Sequence, residues 1–264
     1  MTAATEDGRT RPNPLVDAAA AVGFLTLLPL GRVWPDGRPP RSVGWYPWVG
    51  WLLGALAAGP LWLVLRSVGH APVKGALLVG ALVVSGWALL TRFLHWDGLA
   101  DTFDGIWGGQ TVERRLEIMR DSRIGSFGAA AMIMVALVQA GAIADFVAEG
   151  VWWPLLLAPV AGRAAVSLAA WTMPAARREG LGLSSIERPG LYDVVVWAAA
   201  CVLCVTVLPA PWPVAGAFVA GVALAALAVP RLLARPVGGM TGDLFGATVL
   251  IVETVVLVMG AVIA

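Results

Sequence analysis

The sequence predicts an all-α protein: a polytopic bundle of membrane-embedded helices, with about seven spans and one N-terminal segment that does not cross. Three observations carry this. Hydrophobic residues make up 59% of the 264 and charged residues 13%, against about 45–50% and about 25% in soluble domains; mean hydropathy is +0.80. Apolar runs recur at close to the ~20 residues a helix needs to cross the hydrocarbon. Tryptophans collect near the ends of those runs, as in an interfacial aromatic belt.

Residues 1–14 are polar and read as a poorly ordered tail on a single membrane-embedded domain covering 1–264. The run Leu15–Leu30 carries Asp17, ends at Pro29 and Gly31, and is short for a span, so it is expected to lie in the interface or dip back. No small-residue cleavage site follows a charged start, which argues against a removable signal peptide. Full spans are expected at 46–66, 75–92, 127–148, 152–173, 193–209, 213–231 and 244–263. Trp45, Trp48, Trp96, Trp152, Trp153, Trp171 and Trp212 fall near their ends. With this count one side receives Arg9, Arg11, Arg32, Arg38, Arg41, the charged loop described next, Arg177, Arg178, Arg188 and Arg235. The other receives Arg66 and Lys74. The positive-inside rule makes the rich side cytoplasmic, and every charged motif falls on it. A net charge of +1 offers no global field for nucleic acid. Cys201 and Cys204 sit in an apolar run and read as small buried side chains, not a redox pair.

The chain is organised around the stretch from Arg92 to Gly128, which holds six of the 17 acidic residues: Asp97, Asp101, Asp104, Glu113, Glu117 and Asp121. Asp97, Asp101 and Asp104 are spaced i, i+4, i+7, which puts three carboxylates on one face of a helix. They repel one another unless something positive sits among them. Magnesium fits, because it takes hard oxygen ligands from few carboxylates and leaves positions for water and phosphate. Downstream, Arg114, Arg115, Arg120 and Arg123 suit phosphate oxygens as permanently charged, bidentate donors. Together these read as a site for a phosphorylated substrate. The competing reading is a solvated amphipathic loop with ordinary helix ion pairs.

Two glycine-bearing motifs fall on the same side. Arg177-Arg178-Glu179-Gly180-Leu181-Gly182 is a basic loop that can approach a phosphate, or simply a positive-inside loop. Gly238-Gly239-Met240-Thr241-Gly242-Asp243 precedes the last span and offers backbone N–H groups to an anion. Asp243 either caps that helix or joins the metal-binding carboxylates. Arg163 and Glu253 lie inside spans, where ionisable groups are expensive; they pair with each other or line the floor of the site. His95, two residues before Asp97, is a candidate general base, ligand or hydrogen-bonding anchor.

The run from His95 to Gly105 (His-Trp-Asp-Gly-Leu-Ala-Asp-Thr-Phe-Asp-Gly) resembles the signature of the cobalamin synthase family, the adenosylcobinamide-GDP ribazoletransferases. Glu117–Gly125, Glu179–Gly182 and Thr241–Asp243 followed by Gly246-Ala247 match three further blocks in the same order. The departures are small: Trp96 stands where leucine is common, and the spacer 106–116 varies. The resemblance implies a magnesium-dependent transferase of late cobalamin assembly in the cytoplasmic (inner) membrane, its site on the cytoplasmic face. Adenosylcobinamide-GDP and α-ribazole, or its 5′-phosphate, would be its small-molecule substrates and GMP a product. Metal would be held by Asp97, Asp101, Asp104 and Asp243. Asp121 would serve as base or further ligand, with His95 beside it, and Arg114, Arg115, Arg120, Arg123, Arg177, Gly180, Gly182, Thr241 and Gly242 would bind substrate. The lipid bilayer would be a partner, and anchoring to other corrinoid-assembly enzymes would account for the membrane location. The competing expectations are a CDP-alcohol-type or prenyl-diphosphate transferase and, from a different class, a cation-coupled transporter.

Overall fold

The structure, a computed structural model, describes residues 13–32, 42–68, 74–176 and 189–263. Within them are ten α-helices and no strand: α1 (Pro14–Leu25), α2 (Tyr46–Val68), α3 (Ala76–Leu90), α4 (Leu94–Gly108), α5 (Val112–Ile118), α6 (Ser126–Ala148), α7 (Trp153–Thr172), α8 (Leu191–Val207), α9 (Trp212–Ala234) and α10 (Gly242–Ile263). Each of the seven predicted spans is a helix. Five are long and apolar enough to cross, α2, α6, α7, α9 and α10, and the chain is a multi-pass membrane protein. The other two of the expected seven are shorter: α8 has 17 residues, and α3 has 15 and qualifies as a sixth, broken span only together with α4, past a 93° bend. At 1.5 Å per residue, 15 residues rise only about 22 Å, well short of a ~30 Å hydrocarbon core. α1 is likewise a short apolar helix, its start capped by Asn13 and Asp17.

α7 and α10 form the core. α7 is rich in alanine, so neighbours approach closely on every side: α2, α8, α9 and α10 all pack on it. α10 in turn packs on α4, α6 and α9 as well, and α3 lies along α6. The tryptophans are not uniformly a belt. Trp212 is 86% exposed, but Trp96 and Trp153 are buried. Trp45, Trp48 and Trp51 donate their indole N–H groups to the Tyr192 hydroxyl and to the Val196 and Ala200 carbonyls, at 3.0, 3.0 and 3.1 Å. Their i, i+3, i+6 spacing meets α8 at successive turns, so these rings join two helices instead of marking only a water boundary.

The bend between α3 and α4 has a local cause. Arg92 and Phe93 both adopt left-handed backbone angles, with φ of 53° and 57°; each such non-glycine residue costs about 1–2 kcal/mol. Tertiary contacts hold the bend: Arg92 donates to the Phe24 carbonyl at 3.1 Å and the Gly23 carbonyl at 3.4 Å, and the Leu27 N–H donates to the Leu90 carbonyl at 2.8 Å. Two of the carbonyls left over at the end of α1, those of Gly23 and Phe24, are thereby satisfied.

Candidate functional site

All three predicted aspartates lie on α4, but their surroundings differ. Asp97 is exposed, Asp101 half-buried and Asp104 buried. Asp104 accepts the Gly125 N–H at 2.7 Å and the Gly128 N–H at 2.9 Å. These are the N-cap and third residues of α6, so a carboxylate from another helix performs the capping that a local Asp or Ser would supply. Gly125 and Gly128 leave the room, since a Cβ on either would collide with the Asp104 carboxylate. Both oxygens of Asp104 are thus engaged in joining α4 to α6.

The other face of α4 lies on the start of α10. A Cβ at Gly98 would meet the Asp243 carbonyl at 2.7 Å, and one at Gly246 would meet the His95 Cα at 3.2 Å. Only paired glycines permit this approach. Thr241 caps α10, accepting the Leu244 N–H at 3.2 Å, and its own hydroxyl donates to Asp243 Oδ2 at 3.3 Å. Capping therefore falls to Thr241, which is buried, and not to Asp243; Gly242 beside it is exposed. The glycine-rich segment before α10 is pinned to the end of α7: the Met240 N–H donates to the Pro174 carbonyl at 2.8 Å and the Ala176 N–H to the Met240 carbonyl at 2.9 Å. Pro174–Ala176 runs directly into the basic loop; its Arg177, Gly180 and Gly182 lie outside the described residues.

The arginines divide. Arg115 donates to the Gly109 carbonyl at 2.9 Å and the Pro236 carbonyl at 2.7 Å, tying α5 to the turn before α10. Two of its guanidinium nitrogens thus brace backbone. Arg114 pairs with Glu117 at 2.7 Å in an exposed ion pair. Arg123 binds Asp121 through Nε and its terminal nitrogen, the shortest contact being 2.6 Å. That hydrogen bonding holds the Asp121 carboxyl down at about 2. Arg120 is exposed.

His95, Arg163 and Glu253 meet inside the protein, all three buried. Arg163 donates to Glu253 Oε1 at 2.7 Å, and its other terminal nitrogen lies 3.2 Å from His95 Nε2. The depth of Arg163 and Glu253 in apolar runs leaves open whether they pair or line the floor of the site; in the structure they pair, and the link to His95 carries no signal in the spacing.

Among the described residues, no three His, Cys, Asp or Glu side chains gather closely enough to hold an ion by themselves. The expected cluster of Asp97, Asp101 and Asp104 is therefore not assembled, because Asp104 turns to α6. Asp97 and Asp101 lie one turn apart on α4, and at Gly98, between them in the chain, α4 packs on the start of α10. Such a pair suits magnesium, which is usually bound by one or two carboxylates together with waters and substrate phosphates.

Comparison with known proteins covers all of these elements. The family model of cobalamin-5-phosphate synthase matches residues 17–261. A Bradyrhizobium diazoefficiens protein named adenosylcobinamide-GDP ribazoletransferase is 37% identical over 252 residues, 94% of each chain. Proteins of the same name from Syntrophobacter fumaroxidans and Escherichia coli are 41% and 36% identical over 248 residues, 90% of this chain and 94% and 96% of theirs. No solved structure matches. A match that runs from Asp17 in α1 to the last turns of α10 takes in every element around the α4–α10 crossing, and the chain belongs to the cobalamin-5-phosphate synthase family.

Proposed function

We propose that this chain is an adenosylcobinamide-GDP ribazoletransferase of late cobalamin assembly. A hydroxyl of α-ribazole, or of its 5′-phosphate, attacks the corrinoid-side phosphorus of the diphosphate. The new O–P bond forms as the bridging P–O bond breaks; GMP leaves with the bridging oxygen and the hydroxyl proton is released. The observation that carries the reading is the crossing itself: Gly98, which lies in the chain between exposed Asp97 and half-buried Asp101, packs on the Asp243 backbone where α10 begins, and Arg115 ties the arginine-bearing α5 to the turn before α10. Support also comes from relatives of that name that align with at least nine-tenths of the chain.

Asp97 and Asp101 are the residues that would hold magnesium, on the helix that packs at Gly98 against the Asp243 backbone. Bound there, the ion would neutralise charge on the diphosphate oxygens. Arg120 and the remaining donors of Arg114 and Arg123 face water, where they can take phosphate oxygens. Asp121, held at about 2 by Arg123, is a weak proton acceptor, which fits a charge-holding role better than that of base. The start of α10, with Gly242 exposed, offers backbone N–H groups to the second phosphate-bearing substrate. With α3, which continues into α4 past a 93° bend, and the apolar α8 counted as crossings beside the five long helices, the arginines distribute positive-inside, which supports a site on the cytoplasmic face of the inner membrane. The lipid-headgroup, prenyl and transporter readings draw no support from the relatives' names. Purified protein in detergent, given adenosylcobinamide-GDP, α-ribazole phosphate and magnesium, should release GMP. No GMP from active-site-intact protein would overturn the proposal.

A further inference from the structure

α4 leaves α3 through two left-handed residues, so its direction is not inherited from the preceding helix. Three contacts set it instead. Two are described above: the glycine crossing with α10 and the Asp104 cap on α6. The third is chemically different and sits at the first turn, at His95. Arg163, from the middle of α7, anchors its guanidinium on Glu253 at 2.7 Å and the Pro159 carbonyl at 3.0 Å, and presents its second terminal nitrogen to His95 Nε2 at 3.2 Å.

A guanidinium carries donors only and keeps its proton. The contact therefore runs one way: Arg163 donates, His95 Nε2 accepts, and the ring proton sits on Nδ1. A neutral imidazole has one lone pair to accept with, and here Arg163 takes it. His95 is also buried, with 4% of its surface exposed, whereas Asp97 two residues on is exposed. A group that moves a proton to or from substrate needs both an available lone pair and access. His95 has neither.

We propose that His95 is a positioning residue. By accepting from the Glu253-anchored Arg163, it locks the first turn of α4 to α7 and α10, so that Asp97 and Asp101 face the start of α10 in one fixed register. This rests on the reading of α4 as the helix that carries the reacting site.

The test compares His95→Gln, whose amide oxygen can reach the place of Nε2, with His95→Ala, which leaves Arg163 without that acceptor. Amide exchange on the full chain in detergent is read beside GMP release. His95→Ala should speed exchange across residues 94–103 about tenfold while α8 peptides stay as in wild type, and GMP release should fall with it. His95→Gln should restore both to within about threefold of wild type, a rescue that a proton-transfer role does not allow. The proposal is overturned if both variants exchange like wild type yet lose about 10²-fold or more in GMP release, or if neither variant changes either readout. If His95→Ala fails to accumulate, Glu253→Gln carries the test, with faster exchange at 94–103 expected and unchanged exchange overturning the idea. Exchange needs no substrate, so absence of GMP from every protein, wild type included, would refute the function and leave the positioning result standing.

Discussion

Asp104→Asn separates the capping role from the metal-binding role that its spacing suggested. In the structure both carboxylate oxygens accept backbone N–H groups of α6, at 2.7 and 2.9 Å, in a buried setting. Asparagine keeps one acceptor and turns an NH2 toward the other N–H. One buried donor is then unsatisfied, at about 1–3 kcal/mol. Loss of negative charge at a helix N-terminus adds roughly 0.3–1 kcal/mol. The sum is about 1–4 kcal/mol, and Asp104→Ala, which orphans both donors, should cost roughly twice the first figure. Thermal unfolding in detergent and amide exchange over 125–131 read this directly: exchange should rise about tenfold for each 1.4 kcal/mol of local opening. GMP release should fall only as far as the structure loosens. An Asp104→Asn protein that unfolds and exchanges like wild type, yet loses about 10²-fold or more in GMP release, would refute the capping account and return Asp104 to the metal.

Asp101→Asn should insert normally and lose on the order of 10²–10⁴ in GMP release; turnover near wild type removes Asp101 from the site. Arg163→Leu should cost about 3–5 kcal/mol, since it strands a buried carboxylate, and adding Glu253→Leu should recover much of that loss. Unfolding of the two variants in detergent decides it, equal stability of single and double variants counting against the pair. The Asp121 carboxyl is depressed from 3.8 to about 2, so its contribution to stability is present above the unfolded value and lost as pH falls through the folded one. Arg123→Gln should move its titration back up, read by carboxylate infrared bands; an unmoved midpoint means Arg123 is not the cause.

Much of the molecule was legible from the chain because the bilayer imposes strong, local rules. Backbone polar groups must be satisfied within each segment, so an apolar run of sufficient length becomes a helix whatever its neighbours are. Each of the seven runs is one, with ends within two or three residues of those expected. The concentration of charge between Arg92 and Gly128 and the four separated blocks likewise singled out the region proposed as the site, since charge beside lipid is too costly to be incidental.

What periodicity could not supply was direction. Asp97, Asp101 and Asp104 share a face by spacing alone, and only the arrival of α6 decided that Asp104 caps a helix while Asp97 stays in water. Arg115 reads like its neighbour Arg114, yet the Pro236 carbonyl, 121 positions away, claims it. His95 and Arg163 are 68 positions apart and meet only because α4 bends away from α3 and α7 lies at the centre. Helix identity follows from local composition. Which partner a polar side chain finds depends on a competition among distant groups, and packing settles that.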